Sequence, residues 1–91
     1  MHYTYVLRSE KDSRLYTGST NDLKRRLDEH SHGKVPSTKH RHPFELIYYE
    51  ACLNEQDARA REKYLKTGMG KRYLMNRLKR FLSSNGVNGS T

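Results

Sequence analysis

Residues 3–18 read YTYVLRSEKDSRLYTG, and the way this stretch alternates and then turns decides the fold. Tyr3, Tyr5 and Leu7 alternate with Thr4, Val6 and Arg8, a β-branched and aromatic mix that favours a strand. Leu15 to Gly18 has the same character, and Ser9 to Arg14 between them is polar and turn-rich. The two segments therefore read as an antiparallel hairpin. With its loop centred near Lys11, Tyr5 and Tyr16 come close across the ladder and project from one face.

Downstream, Thr20 or Asn21 can cap a helix whose Leu23, Leu27 and His30 form one inward stripe flanked by Arg26. From Ser31 to Pro43 the periodicity is lost. This segment carries Lys34, Lys39 and Arg41 with His32, His40 and His42, and reads as a long basic loop. Phe44 to Glu50 is a near-continuous apolar run, suited to a central strand covered on both faces by helices.

Asn54 can cap a second helix, with Asp57 in its first turn and Gly68 past its end. On that helix Ala58, Glu62 and Leu65 share the inward stripe, an unusual place for an idle carboxylate. Leu74, Leu78 and Phe81 mark a third amphipathic helix whose other side carries Arg72, Lys79 and Arg80. The reading is an α/β fold over residues 1–82. Its core has ββαβα order, with about three strands, helices on both faces and a further C-terminal helix. Residues 83–91, rich in Ser, Gly and Asn, read as a disordered tail.

A chain of 91 residues fits one small domain. Its 18 Lys and Arg against 10 Asp and Glu, a net charge of +8, favour a polyanionic partner, most often nucleic acid. The lone Cys52 excludes an internal disulfide and reads as a buried structural thiol. The His40-Arg41-His42 spacing is not that of a helical zinc pair. With no basic start before an apolar run, and no stretch of bilayer length, the chain reads as cytoplasmic, away from membranes.

Tyr5, the Tyr16-Thr17-Gly18 triplet, Arg26, His30 and Glu62 are the residues that look most like a reaction centre. In this order they resemble the GIY-YIG nuclease family, from about Tyr3 to about Phe81, and in particular its small stand-alone bacterial members. Leu15 to Gly18, Asp22 to Leu27, Pro43 to Glu50 and Arg61-Glu62-Lys63 echo that family's segments. The first name-giving triplet reads Tyr3-Thr4-Tyr5 and the second has Thr17 at its middle, so both tyrosines and Gly18 are retained.

The resemblance implies a divalent-metal-dependent endonuclease that hydrolyses DNA, directed by DNA structure. Phosphodiester hydrolysis needs an activated water and neutralisation of charge on the phosphate. Glu62 suits one Mg²⁺ (or Mn²⁺), and Arg26 suits the phosphate oxygens. Tyr16 and His30 are assigned jointly to water activation, with the base between them left open, and Tyr5 to a hydrogen bond with phosphate or water. Lys34, Lys39, Arg41, Arg72, Lys79 and Arg80 are the candidate backbone-binding cations. Larger relatives attach a separate DNA-binding domain and none fits here, so specificity falls to substrate shape, a homodimer or a partner protein. The competing reading is a non-catalytic nucleic-acid-binding module that keeps the same fold.

Overall fold

In the computed structural model, which describes residues 1–86, the hairpin forms as strands β1 (His2–Ser9) and β2 (Leu15–Thr20), paired antiparallel. Ser9 closes the turn: its backbone N–H donates to the Arg14 carbonyl at 2.9 Å, and its hydroxyl accepts from the amides of Lys11 and Asp12. Tyr5 lies opposite Gly18 and Leu7 opposite Tyr16, so the two phenols are diagonal neighbours on one face. Their ring centroids are 6.4 Å apart.

The sheet order is β2-β1-β3, with β3 (Phe44–Cys52) antiparallel to β1. The apolar run therefore forms an edge strand, half-buried along its length, and β1 takes the centre. Thr4, Tyr5, Val6 and Leu7 are each almost completely buried, which a central strand requires on both faces. A shift of register falls between Val6 and Leu7, where β3 carries the extra residue Ile47.

Helices do cover both faces. Helix α1 (Leu23–Ser31) packs over the face carrying Tyr5, with His30 in edge contact with Tyr5 and Phe44. Helix α2 (Glu55–Leu65) covers the other face, where the Thr4 hydroxyl donates to the Ala58 carbonyl at 2.8 Å. There Val6, Leu65 and Leu74 make the core, with Leu15, Ile47, Tyr48 and Leu78 packed against it. Each buried aliphatic side chain contributes about 1.5–3 kcal/mol. Glu50 of β3 accepts a forked pair of bonds from Arg61 of α2 at 2.9–3.1 Å, which ties that helix to the sheet edge.

Several boundaries differ from the sequence reading, each for a local reason. Asp22 caps α1 by accepting from the Arg25 amide, while Thr20 stabilises the preceding turn by accepting from the Asp22 amide. Asn54 caps α2 as expected. Gly68 does not follow that helix as a stop but opens α3 (Gly68–Arg77), which Thr67 caps by accepting from the Gly70 amide.

The third amphipathic helix is two helices, with α4 (Lys79–Gly86) separated from α3 by Leu78. That break keeps Leu78 against the core and brings Phe81 under the Arg8 guanidinium, 5.0 Å from its ring centroid. Helix α4 includes residues 83–86, which the sequence reading assigned to a tail, and residues 87–91 lie outside the described residues. Cys52 is half-buried, with its thiol near the Asn54 carbonyl, and so is not a core thiol. No helix among the described residues is long and apolar enough to cross a membrane.

Candidate active site

His30 sits at the buried end of the α1 stripe with 0% exposure, and both its ring nitrogens are engaged. Nδ1 lies 2.9 Å from the Thr38 hydroxyl, which turns its own proton to the Val35 carbonyl. Nε2 lies 2.9 Å from the Tyr5 hydroxyl, so the ring is hydrogen-bonded at both nitrogens. Burial first, and the Arg26 charge second, push the imidazole down to about 4. It is neutral at neutral pH. Burial likewise pushes the Tyr5 phenol up to about 12.

These shifts set a pH dependence. The folded His30 pKa lies below its ordinary value of 6.5, so the unfolded chain takes the proton first as pH falls. The stability contributed by neutral His30 is complete above about 6.5 and is lost as pH falls through about 4. Denaturant unfolding at steps across this window is expected to show a decline that His30→Gln removes. An unchanged profile in that variant would contradict the burial argument.

Tyr5 reaches His30 only because Gly18 faces it. A Cβ at Gly18 would come within 2.5 Å of the Tyr5 hydroxyl and 2.7 Å of its ring. Gly18→Ala is expected to displace the Tyr5 ring and cost about 1–3 kcal/mol. Imidazole nitrogen NMR would follow the loss of the bond at Nε2, and a spectrum like that of the wild type would sink the point. Tyr16 packs beside this pair, its ring centroid 5.1 Å from that of His30. Arg26, on the same helix, is tethered by one guanidinium nitrogen to Glu29 at 2.9 Å and stays about one-third exposed, with further donors available.

Glu62 arrives from the opposite side of the sheet. Ser19 pairs with Thr4 across the ladder and so shares the face under α2, where its hydroxyl donates to Glu62 Oε1 at 2.7 Å. Lys66 holds Oε2 at 2.8 Å. The site is thus not confined to the tyrosine face; it wraps around the free edge of β2 at Gly18. Glu62 is close enough for its charge to add to the upward push on Tyr5.

Arg26, Tyr5, Tyr16 and His30 are therefore brought together on one face, with Glu62 reaching the same strand edge from the other. Both His30 ring nitrogens are engaged within the protein, and the Tyr5 hydroxyl bonds His30 and lies beside Arg26. Arg41 is likewise engaged internally, 3.4 Å from Asp12 and 5.7 Å over the Phe44 ring. Lys34, Lys39, Arg72, Lys79 and Arg80 are exposed.

Ser19 and Thr38, which the sequence reading passed over, bond two of the candidate site residues, Glu62 and His30. Ser19 follows the Tyr16-Thr17-Gly18 triplet directly, which was the available signal; Thr38 had none, because only the folded loop brings it to His30.

As a cation site, Glu62 and Ser19 offer hard oxygen donors on an open cleft of about 320 Å³ that Arg59, Lys63 and Lys66 also line. Among the described residues no group of three or more His, Cys, Asp or Glu forms a cage. One carboxylate on an open cleft suits a hydrated Mg²⁺, which keeps most of its waters.

The family model described as the GIY-YIG catalytic domain matches residues 1–78. The chain belongs to the GIY-YIG family. That family is a nuclease superfamily, and this GIY-YIG chain has similar small relatives. A UPF0213 protein of Clostridium perfringens is 42% identical over 67 residues, covering 72% of this chain and 71% of the relative. A UPF0213 protein of Pediococcus acidilactici is 38% identical over 88 residues, covering 93% and 84%. The solution NMR structure of a UPF0213 protein from Bacillus halodurans is 33% identical and covers 82% of each chain, with a TM-score of 0.52.

Proposed function

We propose that this GIY-YIG chain is a divalent-metal-dependent endonuclease that hydrolyses DNA phosphodiester bonds, directed by the shape of its substrate. The observation that carries the reading is that Arg26, Tyr16 and Glu62 all lie around the Tyr5 phenol, Glu62 through its bond to Ser19 of β2. Glu62, with Ser19 beside it, would hold Mg²⁺ or Mn²⁺, which when bound supplies Lewis-acid stabilisation and a more acidic water.

The remaining tasks fall to side chains in two layers. Arg26 donates to the non-bridging phosphate oxygens as they gain charge, and its tether to Glu29 keeps the fork in place. Tyr16 is the phenol left to orient the attacking water, because Tyr5 is turned inward. Tyr5, His30 and Thr38 form the buried chain against which Tyr16 is set, so they act as positioning residues.

The test is single-turnover cleavage of single-stranded, duplex, nicked and branched DNA with Mg²⁺, Mn²⁺ or EDTA. Cleavage is expected only with metal, and most rapidly on one of the branched or nicked forms. Arg26→Ala is expected to slow it about 10²-fold, with a smaller loss of DNA affinity. Equal cleavage in EDTA, or no effect of Arg26→Ala, would overturn the reading.

A further inference from the structure

Past Tyr16, a second cleft of about 560 Å³ follows the free edge of β2; Arg14, Tyr16, Lys66, Lys71, Leu74 and Met75 are among its lining residues. Lys66 also lines the cleft at Glu62, so the two adjoin at that side chain. Lys71 makes no ion pair among the described residues, and Met75 is 50% exposed. Cations spaced along one wall, with an apolar surface between them, match the chemistry of a nucleotide chain, whose phosphates seek charge and whose bases seek dry contact.

The basic loop offers less. The Arg41 guanidinium is turned inward, near Asp12 and over the Phe44 ring with Nε and Nη2 buried, and the loop is fastened across the α1 side of the sheet through buried Val35 and Thr38. The edge cleft, by contrast, leads to the carboxylate without crossing the sheet.

We propose that this cleft takes the sugar-phosphate backbone of one DNA strand as it approaches Glu62. Arg14, Lys66 and Lys71 meet successive phosphates, and a base lies against the exposed Met75. The proposal rests on the nuclease reading for its direction toward Glu62, but its contacts are made without turnover.

Binding of a fluorescently labelled single-stranded oligonucleotide, followed by anisotropy in EDTA over a range of salt, separates the two. The variants are Arg14→Gln with Lys71→Gln and, as a control of equal charge, Lys34→Gln with Lys39→Gln. The cleft pair is expected to weaken binding tenfold or more and to reduce the slope of log affinity against log salt by about 1.4. The loop pair, exposed cations that the sequence reading also counts as phosphate contacts, is expected to have clearly the smaller effect on both.

Equal weakening by the two pairs would mean that only net charge matters and would overturn the proposal. So would a loss confined to the loop pair, transfer of the effect to anionic phospholipid vesicles with DNA binding intact, or no DNA binding by the wild-type protein. A wild-type chain that binds through the cleft yet never cleaves would overturn the nuclease reading alone.

Discussion

Glu62→Gln is expected to lower metal-dependent cleavage by about 10³-fold while leaving metal-free DNA binding at least as strong. The substitution keeps the shape of the side chain, and the amide oxygen can still accept from Ser19, which now donates to Oε1 at 2.7 Å. What it removes is the charge. The side chain is 23% exposed, so a neutral amide loses the attraction for a divalent cation without leaving a buried charge unpaired. It also frees Lys66, whose partner it is at 2.8 Å, and a freed ammonium beside the basic cleft should not weaken a polyanion. Rates measured with saturating Mn²⁺ alongside anisotropy in EDTA would decide it. A variant that cleaves within threefold of wild type would remove Glu62 from the mechanism.

Gly70→Ala is expected to be the most destabilising single-methyl change in the chain, by about 3 kcal/mol. Helix α3 passes so close to the end of α2 that a Cβ at Gly70 would strike the Tyr64 carbonyl and the Leu65 Cα. Both are backbone atoms and cannot swing aside. Relief would lift α3 from α2 and draw Leu74 out of its contact with Val6 and Leu65.

For a domain of this size that loss corresponds to a fall in Tm of roughly 12–24 °C. Gly68, only two residues earlier, has nothing within 4 Å of its would-be Cβ. Gly68→Ala is therefore expected to be neutral or stabilising by up to about 1 kcal/mol. Thermal melts of the pair provide the check, and the opposite order would show that the α2–α3 approach is not as described.

The same two glycines show what is legible in the chain and what is not. Local signals carry through: the alternation of Tyr3 to Arg8, the α1 stripe ending at His30 and the Asn54 cap all depend on near neighbours. Gly68 reads as a helix stop because it stands where one is due, but the need for glycine at position 70 comes from a tertiary contact that no local pattern encodes.

Strand order is a related case. An apolar run such as Phe44 to Glu50 can sit at a centre or an edge, and the burial of β1 on both faces settles it. Of the candidate site, the residue types are legible and their layering is not. The inward stripe identifies Glu62 and His30 as unusual. Only the register, which puts Ser19 on Thr4's face, shows that Glu62 approaches from the far side of the sheet.

The claim that Glu62 holds the cation at the free edge of β2 is tested most directly by Mn²⁺ titration of the isotope-labelled chain, read as paramagnetic broadening of backbone amides. The account predicts broadening centred on Ser19 and Glu62 at low Mn²⁺ and its loss in Glu62→Gln. Broadening centred elsewhere, or unchanged by that substitution, would contradict it.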